Sequence, residues 1–97
     1  MPEWLVTVDE DVWAALRPER RAELKKLKAA LAKDPFAFGD KVRRELIPKG
    51  VDVPNLYRAE LRDGSRMVYT VRTRDVPPTV RILLGGSHKA YDRFFGY

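Results

Sequence analysis

The sequence predicts an α+β fold: a small, mostly antiparallel four-stranded sheet with an N-terminal helical hairpin packed on one face. Three observations predict it. Leu24, Leu27 and Leu31 recur at spacings of three and four between Pro18 and Lys33, the signature of an amphipathic helix. Two alternating runs flank Asp63-Gly64-Ser65, the signature of a β-hairpin. Thr79 to Leu84 is apolar apart from Arg81 and the leading threonine, as a buried central strand would be.

The elements follow in order. Trp4 to Val8 reads as a short strand. Asp9 is placed to cap a first helix whose Val12, Trp13 and Leu16 share a face. Arg17-Pro18 ends that helix, and Pro18 suits the first turn of the next. The second helix runs to about Lys33 and stops at Asp34-Pro35, because a residue before proline avoids helical geometry. Its basic residues fall mostly off the leucine stripe, and it is expected to form an antiparallel hairpin with the first. Between Phe36 and Pro54 the residues Pro48, Gly50 and Pro54 argue against a long regular element. Asp75-Val76-Pro77-Pro78 is a loop. Ser87 to Tyr97 is a polar-aromatic tail with room for a short helix.

The hairpin carries the most information. With Asp63-Gly64-Ser65 as its loop, Leu61 faces Met67, Ala59 faces Tyr69 and Tyr57 faces Val71. These residues make one apolar face, which the helices are expected to cover. The other face collects Arg58, Glu60, Arg62, Arg66, Val68 and Thr70 and is expected to be left to solvent or a ligand. In that register Arg62 lies opposite Arg66. Like charges across a ladder destabilise, so the pair argues for an anion above it.

Composition narrows the function. The chain has 97 residues and is expected to form one domain over residues 1–97. It has no cysteine and one histidine, so no metal site and no cofactor are expected. No apolar run approaches a membrane span and no leader pattern opens the sequence, so a cytoplasmic protein with no membrane partner is expected. The net charge of +5 suits a polyanionic partner.

The segment Asn55-Leu-Tyr-Arg-Ala-Glu-Leu-Arg-Asp-Gly-Ser-Arg-Met-Val-Tyr-Thr-Val71, followed by Val80-Arg-Ile-Leu-Leu-Gly-Gly-Ser-His-Lys-Ala-Tyr-Asp-Arg-Phe-Phe95, resembles the RelE/ParE toxin superfamily. The resemblance covers roughly Leu24 to Tyr97 and rests on the order and spacing of short motifs. It implies a toxin of a type II toxin–antitoxin system. RelE-like members cleave mRNA on the ribosome without a metal, and an antitoxin holds them inactive. The alternatives are a ParE-like inhibitor of DNA gyrase and a catalytically inactive RNA- or protein-binding relative. The implied partners are the antitoxin, mRNA and the ribosome, with a homodimer or a heterotetramer with the antitoxin as possible assemblies.

Carried onto this sequence, the resemblance makes Arg66 the phosphate-stabilising arginine and Arg58 a basic group on the preceding strand. His88 or Lys89 is the basic residue after the last core strand, and Tyr91 or Tyr97 the tail aromatic that stacks on a base or aids proton transfer. Glu60, where family nucleases often have lysine, is a candidate base or a partner of the arginines. Arg62, Lys41, Arg43, Arg44, Lys49, Lys89 and Tyr97 are the expected RNA-binding residues.

Overall fold

A long helix and a twisted sheet share the first hydrophobic core. A computed structural model describes residues 4–61, 65–86 and 88–96 of the chain. The chain runs β1 (Leu5–Val8), α1 (Glu10–Ala15), α2 (Pro18–Lys33), α3 (Pro35–Phe38), β2 (Asp40–Lys41), a 3₁₀ turn at Arg44–Leu46, β3 (Tyr57–Glu60), β4 (Arg66–Arg72), β5 (Thr79–Gly86) and α4 (His88–Phe95). The strands form one five-stranded sheet in the order β1-β5-β4-β3-β2.

Two corrections to the expected sheet follow. It has five strands, because Asp40–Lys41 adds a two-residue strand to β3. So short a strand carries no alternation to read. The sheet is also mixed: β1 pairs parallel with β5, while the other three pairings are antiparallel. The helices carry the chain from β1 to the far edge. Three antiparallel steps then bring β5 back beside β1, pointing the same way.

The hairpin register differs from the expected one by two residues. Ala59 faces Met67, Tyr57 faces Tyr69 and Glu60 faces Arg66. The Leu61 amide donates to the Ser65 carbonyl at 2.7 Å, which closes the hairpin one residue earlier than Asp63-Gly64-Ser65 would. A slip of one residue would have exchanged the faces, whereas a slip of two preserves them. The hydrophobic pattern alone therefore cannot choose between the two registers. Arg66 stands opposite a carboxylate, not opposite Arg62, and the argument from like charges falls; Arg62 itself lies outside the described residues.

The apolar face packs as expected. Tyr57, Ala59, Leu61, Met67, Tyr69 and Val71 join Val80, Ile82 and the helical Leu16, Leu24 and Leu31 in one buried cluster. The other face is not left open. Val42, Leu56, Val68 and Tyr91 form a second buried cluster, flanked by Ile47, Val53, Leu83, Leu84, Phe94 and Phe95. Tyr91, Phe94 and Phe95 fall on one side of α4 and need cover, and Val68 on the sheet supplies it. A register shift between Val68 and Tyr69 against β5 leaves Leu83 as an extra residue, and both Leu83 and Leu84 pack against this cluster.

Local chemistry ties the pieces together. Asp34 ends α2 and caps α3: its Oδ1 accepts from the Phe36 and Ala37 amides, both at 3.2 Å. Asp9 does not cap α1 with its side chain. Its carboxylate instead takes both nitrogens of a fork from Arg81, at 2.8 and 2.7 Å, a charge-assisted pair stronger than a bond to a neutral amide. The Arg81 guanidinium accordingly holds the Asp9 carboxyl below its ordinary value. Asn55 extends the β3–β4 ladder with its side chain. Its Nδ2 donates to the Val71 carbonyl, and its Oδ1 accepts from the Val71 amide and the buried Thr70 hydroxyl.

Candidate functional site

Strand alternation puts Arg58 of β3 and Arg66 of β4 on the face opposite the helices. Arg58 faces Val68 across the ladder, and Arg66 lies two residues from Val68 on the same strand, so the two arginines are diagonal neighbours. The stripe of α4 lays Tyr91 over this spot. The Tyr91 hydroxyl accepts a hydrogen bond from Arg58 Nη1 at 3.0 Å, and the Arg66 guanidinium carbon sits 5.1 Å from the centroid of the same ring. One phenol thus holds two cations, one through its oxygen and one through its π face.

The exposure of the three groups differs, and that decides what each can do. Arg58 is exposed and Arg66 half-buried, whereas Tyr91 is only 4% exposed, its ring packed against Phe95 at 4.8 Å. So deeply set a ring cannot stack on a base; it can hold the arginines in place. The Arg66 Nε is buried and has no hydrogen-bond partner among the described residues. A buried guanidinium donor without an acceptor is costly. Glu60 is exposed beside Arg66 on the next strand, and no ion pair joins the two among the described residues. Asp40 on β2 is the ladder neighbour of Arg58 on its other side.

Behind this group the sheet is braced from the opposite face. Tyr69 is fully buried and donates its hydroxyl to the Pro35 carbonyl at 2.8 Å. Burial pushes its phenol up to about 12. Gly39 makes the close approach possible: a Cβ there would lie 2.6 Å from the Tyr69 hydroxyl and 2.7 Å from the Arg58 carbonyl. The glycine thereby lets the α3–β2 connection rest on the backbone that carries Arg58.

The expected site residues divide accordingly. Arg58, Arg66 and Tyr91 come together, with Glu60 alongside. His88 opens α4 a turn before Tyr91, but its side chain lies outside the described residues, as do Arg62 and Tyr97. Lys41, Arg43, Lys49 and Lys89 are exposed. Arg44 lines a separate cleft with Arg72, Arg74, Asp52 and Asp75, in which Arg72 pairs with Asp75 at 2.8 Å. Arg72 and Arg74 escaped the sequence reading, although Arg72 shares the parity of Arg66 along β4. Asp40 escaped it too, and nothing in a two-residue strand would have revealed it.

No protein-family model matches the sequence, and neither does any curated protein. Among solved structures, a free-state variant of the E. coli toxin RelE, with two arginines changed to alanine, superposes with a TM-score of 0.60. The match covers 93% of this chain and 88% of that one, at 24% identity. The chain has a RelE-like fold. At that identity the likeness to RelE concerns the path of the backbone and not the chemistry of individual residues. Among the described residues, no helix of this RelE-like chain is long and apolar enough to cross a membrane.

Proposed function

We propose that the chain is the toxin of a type II toxin–antitoxin system, that it cleaves mRNA on the ribosome, and that an antitoxin neutralises it. The reading is supported by the RelE-like fold and carried by one observation: two arginines gathered on Tyr91, one of them with an unpartnered buried donor. A scissile phosphodiester is the ligand such a pair suits, because guanidinium is planar, always charged and bidentate towards phosphate.

In this reading the ribose 2′-oxygen attacks the adjacent phosphorus. The new O–P bond forms as the bond to the 5′-oxygen breaks, leaving a 2′,3′-cyclic phosphate and a 5′-hydroxyl. Arg58 and Arg66 neutralise charge growing on the non-bridging oxygens. Glu60, across the ladder from Arg66, takes the 2′ proton, and His88 returns a proton to the leaving oxygen. Tyr91 is a positioning residue that holds both guanidiniums in place, one through its hydroxyl and one through its ring.

Expression of the chain alone tests the proposal. Growth arrest with mRNA cleavage is expected, and Arg66→Ala is expected to lower cleavage about 100-fold or more and relieve the arrest. Arrest with intact mRNA and trapped gyrase–DNA complexes would replace this reading with gyrase inhibition. No arrest at all would remove the toxin reading.

A further inference from the structure

The sheet has a gap in its hydrogen-bonded edge. The pairing of β1 with β5 ends at Val8 opposite Ile82, after which the chain turns away into α1. β5 continues to Gly86 and, among the described residues, pairs only with β4 over those last residues. Among the described residues, Leu84, Gly85 and Gly86 therefore present one edge of backbone with no neighbouring strand, and they line a groove of about 540 Å³. Ala15 and Leu16 form one wall and Ala90 of α4 the other; Arg17 and Arg20 complete the lining. A Cβ on Gly85 would meet Leu16 at 3.8 Å and one on Gly86 would meet Ala90 at 3.5 Å, so the two glycines let both walls pack close to the strand.

An unpaired strand edge recognises extended chain, through main-chain hydrogen bonds. The lining has a charge of one sign, with two arginines and no carboxylate, although Arg20 also pairs with Glu23 at 3.3 Å outside the groove. That combination selects a segment with apolar and acidic side chains. We propose that an extended acidic segment of the antitoxin adds to β5 in this slot, alongside Leu84–Gly86, with Arg17 facing its carboxylates. The inference rests on the toxin–antitoxin reading above and names where on this chain that partner docks. The position also gives it reach: Gly86 is the ladder partner of Arg66, and Ala90 precedes Tyr91, so an occupant bears on both elements that hold the candidate site.

The test uses the full chain and the protein encoded by the neighbouring reading frame. Ala15→Trp, which fills the slot, and Arg17→Glu, which reverses its charge, are each expected to weaken binding about tenfold or more. Val76→Trp, at a loop residue that is 97% exposed, is expected to stay within about threefold of the parent. In the unsubstituted chain the amides of Leu84–Gly86 are expected to exchange more slowly on saturation with that protein, a readout independent of whether any variant folds. Parent-like binding by both slot variants, or unchanged exchange at Leu84–Gly86 in a saturated complex, overturns the proposal. If the neighbouring protein relieves growth arrest while that exchange is unchanged, the slot alone falls. If it neither binds nor relieves arrest, the antitoxin reading falls with it.

Discussion

Tyr91 shows how one side chain can serve packing and function together. Its ring belongs to the second core, yet its oxygen and its face each hold an arginine. Tyr91→Phe keeps the ring under Arg66 and removes the hydroxyl that accepts from Arg58. Single-turnover cleavage assays on that variant are expected to show about a tenfold loss, smaller than that of Arg66→Ala, with the fold intact by circular dichroism. Tyr69 has the opposite balance, since its buried hydroxyl serves only the fold. Tyr69→Phe leaves the Pro35 carbonyl unpaired and is expected to cost about 1–3 kcal/mol in denaturant melts. It also changes the alkaline limb of stability. The folded phenol titrates near 12 against an ordinary value of 10.0, so its contribution is intact below pH 10 and is lost as pH rises towards 12, where the unfolded chain ionises first. The variant is expected to lack that part of the alkaline loss. Gly39→Ala pushes a methyl into Tyr69 and the Arg58 carbonyl and is expected to cost about 1–3 kcal/mol. Gly85→Ala, whose added Cβ meets only Leu16 at 3.8 Å, is expected to cost less in the same melts.

The elements differ in how much of them could be read in advance. α2 begins at Pro18 and ends at Lys33 as its leucines and prolines dictate, because both signals are local. The two faces of the hairpin were equally legible, since alternation fixes parity. The register was not: sliding one strand by two residues leaves every side chain on its own face, and it is the ladder itself, closed by the hydrogen bond from Leu61 to Ser65, that distinguishes the alternatives. The candidate site was half legible for the same reason. Arg58 and Arg66 follow from parity, but Tyr91 reaches them only because the tail helix folds back over Val68. The signal for that fold-back lies in the spacing of Tyr91, Phe94 and Phe95, which puts all three on one side of a helix. Asn55 illustrates a further limit, a side chain acting as backbone where no strand pattern exists. Asn55→Ala removes three hydrogen bonds to β4 and is expected to cost about 1–3 kcal/mol, and hydrogen exchange at the Val71 amide is expected to accelerate. Protection of Val71 unchanged from the parent would contradict the role given to it.

At the scale of the whole molecule, the sheet is covered on both faces, by α2 and its neighbours on one and by α4 and the 42–56 connection on the other. The arginine face is therefore a shaped site at the edge of a core and not an open plane. The net charge of +5 adds a long-range attraction for polyanions that salt weakens. Cleavage should accordingly slow as ionic strength rises, whereas the growth-arrest loss in Arg66→Ala should persist at every salt concentration that supports translation. The most direct test of the central claim, that Arg58 and Arg66 gathered on Tyr91 hold a phosphodiester for cleavage, is to map RNA ends in a translating extract supplied with the purified chain. The account predicts mRNA fragments ending in 2′,3′-cyclic phosphate with the parent chain and their loss with Arg66→Ala. Intact mRNA with the parent chain, or undiminished fragments with the variant, would contradict it.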